Sequence, residues 1–339
     1  MLSKRQEEIL LYIVSEYIKT AQPIGSGFLT SRPGINVSSA TIRNEMSVLE
    51  EMGFLSQIHV SSGRVPNDQA YRFYVDRLLS RKIPEPIIKE DILMMYSDKV
   101  IELEDLIEKT CKVLSEITNY TSLVLAPKIK KSILKYLKVA PVNEHCVMLI
   151  MLLNTGKVIH RLIDLHFNVE ALDLNKITNL LNEKISGILS KPLPHIDFSC
   201  FIDNNHNEAV KDIIFNIESM IKDEENKLFY EGILKLINLP EFNNLNNLKK
   251  MLEVLKEEKM IAEILSNSMQ EQGLKVYIGD ENKMDIMKDF SFIASSYELS
   301  GEVIGGLGII GPTRMPYIEI MSTVNYIARA LSNKLSNII

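Results

Sequence analysis

At 339 residues the chain is long enough for two or three domains of the usual size of about 150 residues. Its composition, 46% apolar and 24% charged, excludes a disordered, collagen-like or fibrous polypeptide. With 38 Lys and Arg against 44 Asp and Glu, the net charge is −6, so the molecule as a whole is repelled by nucleic acid and by anionic lipid. Cys111, Cys146 and Cys200 are an odd number without short-range pairing, which fits a reducing compartment. The start carries acids among its bases and no apolar export core. The longest apolar run, Cys146 to Leu153, is too short to cross a bilayer. The expectation is a soluble, cytoplasmic protein with no membrane partner.

Ser3 with Gln6 three residues on makes a capping box, and Ile9, Leu10, Ile13, Val14, Tyr17 and Ile18 follow at helical spacing, predicting a helix to about Lys19. Pro23 and Gly25 break it, Ser26 is placed to cap a short second helix through Leu29, and Pro33-Gly34 supplies a turn. A third helix starts at Ser38 or Ser39, with Ile42, Met46 and Leu49 on one stripe and Gly53 at a left-handed C-terminal position. The period then changes to two. Residues 54–60 and the Val65-Pro66 return strand flank the turn Ser61-Ser62-Gly63-Arg64. Three short helices followed by a β-hairpin is the winged helix-turn-helix plan. A helix from Asp68 leads to the stiff boundary Ile83-Pro84-Glu85-Pro86.

Beyond that boundary a helix is expected around Ile101 to Asn119. Strands follow at Ser122–Ala126, Ser132–Ala140, Cys146–Leu153 and Lys157–Ile163, joined by short turns that imply an antiparallel sheet. From about Val169 to Met269 the pattern is mostly helical. Strands return at Leu274–Ile278, Phe290–Tyr297 and Glu302–Ile310, and a last helix opened by Pro316 aligns Tyr317, Ile320, Met321, Val324, Ile327, Ala328, Leu331 and Leu335. Sheet, helical block and sheet again is the pattern of one domain interrupted by another.

Helix three reads as a DNA-reading head. At 100° per residue its outward positions are Ala40, Asn44 and Ser47, flanked by Thr41 and Arg43. Arg43 suits guanine or phosphate and Asn44 suits adenine. Ser38, Ser39 and Thr41 near the helix start suit phosphate oxygens. His59, Ser61, Ser62 and Arg64 around the wing would give a second contact. Local charge is nearly balanced, ten bases against eight acids in residues 1–82. Gly306-Leu307-Gly308-Ile309-Ile310-Gly311 matches the dinucleotide pattern G-x-G-x-x-G, but Pro312 and Pro316 follow where a helix should open, so it reads as a glycine-rich strand. His59, His145, His160, His166, His195 and His206 have no metal spacing, and no nucleophile elbow or P-loop occurs. No catalytic site, metal site or cofactor is expected.

The runs Val37 to Met46, Leu49 to Leu55, Ser61 to Pro66 and Tyr71 to Asp76, with Gln22-Pro23-Ile24-Gly25-Ser26 upstream and Gly305 to Met315 with Tyr317 downstream, closely resemble the bacterial heat-inducible transcription repressor family HrcA. The resemblance implies an α+β, multidomain fold: an N-terminal winged helix-turn-helix, a GAF-like α/β domain with antiparallel sheet, and an inserted, mostly helical dimerisation domain. The corresponding segments are 1–82 for the DNA-binding domain, 83–168 and 270–339 for the discontinuous GAF-like domain, and 169–269 for the insertion. It further implies a homodimeric repressor of heat-shock and chaperone operons, bound to an inverted-repeat operator of the CIRCE type and modulated by the GroEL chaperonin, with no cofactor. The DNA-binding set is then Ser26, Ser38, Ser39, Thr41, Arg43, Asn44, Ser47, His59 and Arg64. Gly27 departs from the family, standing where Arg or Lys would add a phosphate contact. The rival reading is a winged-helix regulator whose GAF-like domain senses a small molecule.

Overall fold

The computed structural model describes residues 2–31, 37–58, 63–87, 90, 92, 94, 103–127, 133–154, 156–166, 168–169, 173–185, 187, 204–223, 227–242, 245–268, 273–282 and 285–338. The head contains α1 (Lys4–Thr20), α2 (Ser26–Leu29), α3 (Ser39–Glu51), β1 (Leu55–Gln57), β2 (Arg64–Pro66) and α4 (Asp68–Leu79). The Ser3–Gln6 capping box starts α1 as the sequence requires, and Ser38 caps α3 by accepting from the Thr41 amide. Gly53, at φ 83°, ends α3 in the left-handed region that its missing Cβ permits. The boundary segment Lys82 to Pro86 is not a free linker, because it lines a groove with Asn325, Tyr326 and Arg329 of the C-terminal helix.

The body is a five-stranded antiparallel sheet ordered β7-β3-β10-β9-β8, made by β3 (Thr121–Leu125), β7 (Leu228–Glu231), β8 (Leu274–Ile278), β9 (Phe290–Leu299) and β10 (Glu302–Pro312). Packed with it are α5 (Leu103–Thr118), α8 (Leu245–Lys256), α9 (Glu258–Ser268) and α10 (Tyr317–Ile338). Phe290 to Ser295 are all buried, so β9 is covered on both faces. The eight apolar residues aligned by sequence along α10 are all buried, from Tyr317 to Leu335. Gly306, Gly308 and Gly311 lie in β10. A Cβ on Gly308 would stand 2.6 Å from the Ile293 carbonyl oxygen, and one on Gly311 would stand 2.6 Å from the Tyr120 ring. Close packing accounts for Gly308 and Gly311, and the strand continues through the motif where a dinucleotide site would open a helix. Tyr297 and Tyr317 fill the space between sheet and helices. Tyr297 donates to the Leu125 carbonyl at 2.8 Å, and Tyr317 shares a 2.8 Å hydrogen bond with Ser291.

A third unit is inserted between β3 and β7. It has its own three-stranded sheet, β4 (Leu134–Asn143), β5 (Cys146–Leu153) and β6 (Val158–Asp164), with α6 (Leu174–Ile185) and α7 (Asn204–Asp223). Leu137, Val139, Leu149, Met151, Ile177, Leu181 and Ile213 belong to a core distinct from the one that runs through head and body. This corrects the expected boundaries. Residues 134–164 belong to the insertion and not to the interrupted domain, whereas 228–268 return to the body. Alternation identifies a strand but not the sheet it joins, and the four-residue β7 is hidden inside a helical pattern. The β4 edge is closed by α6: Asn182 accepts from the Leu137 amide at 2.8 Å and donates to its carbonyl at 2.7 Å, while Thr178 accepts from the Val139 amide.

Candidate nucleic-acid interface

Ile42, Met46 and Leu49 bury one stripe of α3 in the core that contains Ile9, Leu10 and Ile13 of α1, which turns the opposite stripe outward. Glu45 holds the helix in place, accepting from Gln6 Nε2 at 3.0 Å with Arg5 at 3.6 Å. Ser38, Ala40, Arg43 and Asn44 are exposed; Thr41 and Ser47 are half-buried. Ala40, with no side chain beyond Cβ, lets the helix approach a groove closely, while Arg43 and Asn44 reach outward from it. Ser38 and Thr41 hydroxyls are 2.9 Å apart at the helix start, next to backbone amides suited to a phosphate oxygen.

Several of the expected contact residues make hydrogen bonds within the head. Ser26 does not cap α2, whose N-cap is Gly25; its hydroxyl lies 2.9 Å from that of Ser39 and ties α2 to α3. Ser47 donates to the Arg43 carbonyl at 3.1 Å. Arg64 Nε donates to Glu50 Oε2 at 2.8 Å, and its side chain is only 16% exposed, so its guanidinium is committed to α3 and is not presented at the tip of the wing. Its backbone exchanges two 2.9 Å hydrogen bonds with Ile24, which makes the segment before α2 a third ribbon beside the wing. A Cβ on Gly63 would meet the Ile24 carbonyl carbon at 2.5 Å, so only glycine allows that approach. His59, Ser61 and Ser62 lie outside the described residues.

The direction in which this surface faces is set by the body. Arg72 of α4 donates to Glu281 and, at 2.6 Å, to the Val276 carbonyl. Asp68 accepts from the Asp280 amide at 3.0 Å. Burial, opposed by that hydrogen bond but reinforced by the charges of Asp280, Glu281 and Asp289, pushes the Asp68 carboxyl above its usual range. Arg314 donates to the Ile18 carbonyl at 2.6 Å and pairs with Glu241, and the Tyr71 and Tyr317 rings meet across the boundary with centroids 6.0 Å apart. Head and body therefore share one continuous apolar core. Sequence reading missed the contacts between head and body because their partners lie about 200 residues or more apart along the chain, as with Arg72 and Val276, 204 residues apart.

A family model described as the HrcA protein C terminal domain matches residues 104–321. The chain belongs to the HrcA family. It is 37% identical over 342 residues to the heat-inducible transcription repressor HrcA of Brevibacillus brevis, with 99% of each chain covered. Against that of Carboxydothermus hydrogenoformans it is 36% identical over 342 residues, again with 99% of each covered. A crystal structure described only as that of a hypothetical protein has the same fold, with a TM-score of 0.68 at 23% identity over 100% of both chains. As a member of the HrcA family the protein is a DNA-binding transcription repressor and not an enzyme. Among the described residues no helix is long and apolar enough to cross a membrane, and no group of three His, Cys, Asp or Glu could hold a metal ion.

Proposed function

We propose that the protein represses heat-shock and chaperone operons by binding a CIRCE-type inverted repeat as a homodimer, under modulation by the GroEL chaperonin. The outer face of the three-stranded sheet carries this reading. Strand register aligns Tyr136 with Leu152 and Val158, Lys138 with Ile150 and His160, and Ala140 with Met148 and Leu162. Tyr136, Val158 and Leu162 are 50%, 51% and 57% exposed, an apolar surface of the kind that monomers seldom leave in water. A second copy seated there by two-fold symmetry would present two heads with the symmetry of an inverted repeat. One nearly neutral head makes few phosphate contacts; linking two raises the effective concentration of the second once the first is bound.

Ser38, Thr41, Arg43 and Asn44 are the residues assigned to the DNA contact, with Ser26, Ser39, Ser47 and Arg64 supporting their placement. The operon class and the chaperonin rest on family membership. Sedimentation and gel shifts on an inverted repeat test the reading: Leu162→Lys with Val158→Lys should give a monomer that loses operator affinity while a single half-site is still bound. A double variant that stays dimeric would remove the sheet face from the reading. Unchanged operator occupancy on adding GroEL would remove the chaperonin.

A further inference from the structure

Head and body form one packed unit and the insertion forms another, each with its own core. The chain crosses between them twice, before β4 and before β7. Beside those crossings, at the first turn of α5, stands Glu104. It binds Lys157 Nζ, from the β5–β6 turn of the insertion, at 3.5 Å and Lys227 Nζ, one residue before β7 of the body, at 3.0 Å. Lys157 is a buried ammonium, its side chain 2% exposed. Burial alone would raise the Glu104 carboxyl, but the hydrogen bond from Lys227 and the charges of Lys157 and Lys227 hold it below the usual carboxylate range. The cost of desolvating Lys157 offsets much of its attraction to Glu104, whose own side chain is 37% exposed, so the pair adds little stability, while its directional geometry selects one arrangement over others.

We infer that Glu104, acting through Lys157, fixes the angle between insertion and body and thereby the half-site spacing that the repressor accepts. This rests on the dimeric reading above. If the copies meet through their insertions and read DNA with heads fixed to the bodies, the joint at Glu104 lies between the two-fold axis and each head. A chain of this length has a radius of gyration of about 20 Å, so a lever of about 40 Å turned by about 5° moves a head by about 3.5 Å. That is about one base-pair step along the duplex. A small change of angle therefore puts the second head out of register while every residue of α3 stays intact.

The experiment uses the full-length chain with an inverted repeat recovered by the protein from random duplex DNA, its half-site spacing stepped by single base pairs. Gel shifts are paired with small-angle X-ray scattering of the protein alone. Glu104→Gln and Lys157→Met should each leave single half-site affinity unchanged. Each should lower affinity at the best spacing about tenfold, flatten the spacing profile and widen the scattering distance distribution. Lys157→Met, which replaces the buried charge with an apolar chain of similar length, should melt no lower than wild type; geometry and stability then part company, which a merely structural pair would not allow. Unchanged spacing profiles and scattering in both variants would overturn the proposal. A monomeric wild type would remove the dimeric reading, and scattering alone would then decide whether Glu104 fixes the joint, an unchanged curve overturning it.

Discussion

Arg43 and Arg64 look alike in the sequence, each beside small polar residues in a DNA-binding head, yet their surroundings differ and so should the consequences of removing them. Arg43 is exposed on the outer stripe of α3, whereas Arg64 is bound to Glu50 at 2.8 Å with side chains 16% and 33% exposed. Replacing Arg64 with Ala removes a charge-assisted hydrogen bond of about 1.5–3 kcal/mol, which partial exposure of Glu50 reduces to about 1–2 kcal/mol. At an m value of about 3 kcal/mol/M the midpoint of urea unfolding should fall by about 0.3–0.7 M. Arg43→Ala should leave that midpoint within error and cost about 1–3 kcal/mol of operator binding. The salt dependence separates the roles. Each phosphate contact contributes a slope of about 0.9, an attenuation of about 3.5-fold between 50 and 200 mM salt. If Arg43 holds a phosphate, Arg43→Ala should remove that much; if it reads a base, it should relax base preference. Arg64→Ala should leave the slope as it is, because its guanidinium is already neutralised by Glu50. A fall of about 0.9 in slope for Arg64→Ala, with no change in unfolding midpoint, would refute this assignment.

Gly63→Ala should displace the wing from Ile24, losing two backbone hydrogen bonds of about 1 kcal/mol each, partly offset by about 0.4–1 kcal/mol from the stiffer unfolded chain; urea unfolding would show a net loss of about 1–2 kcal/mol. Asp68→Asn should raise the melting temperature at neutral pH, since the replacement can still accept from the Asp280 amide. A carboxyl whose folded value is raised holds its proton more tightly in the folded chain, so wild-type stability falls as pH rises through and above the carboxylate range, and the gain from Asn should shrink as pH is lowered into it. Asn182→Ala should free the Leu137 amide and carbonyl on the β4 edge, destabilising by about 1–3 kcal/mol and increasing aggregation measured by light scattering.

What could be read in advance followed the range of the interactions involved. Helices with a continuous apolar stripe, such as α10 with Tyr317 through Leu335, declare themselves because neighbours three and four apart are enough. The outward face of α3 follows from Ile42, Met46 and Leu49 in the same way. Strand membership does not: Cys146 to Leu153 is an unbroken apolar run that would suit a buried strand of any sheet, and only pairing with Leu134–Asn143 and Val158–Asp164 assigns it to the insertion. Arg64 reads as an exposed turn residue until Glu50, fourteen positions upstream, is seen beside it. The buried Lys157 gives no local sign of its partner in another unit.

The continuous core between head and body also bears on how the molecule can be taken apart. A fragment ending at residue 82 would expose the Tyr71 ring face that meets Tyr317, and would leave Arg72 and the Ile18 carbonyl without Glu281 and Arg314. The reading head is thus no detachable cartridge. Chimaeras that transplant it onto another repressor should be cut to carry the β8 turn and the start of α10 as well, or the graft will lose both solubility and aim.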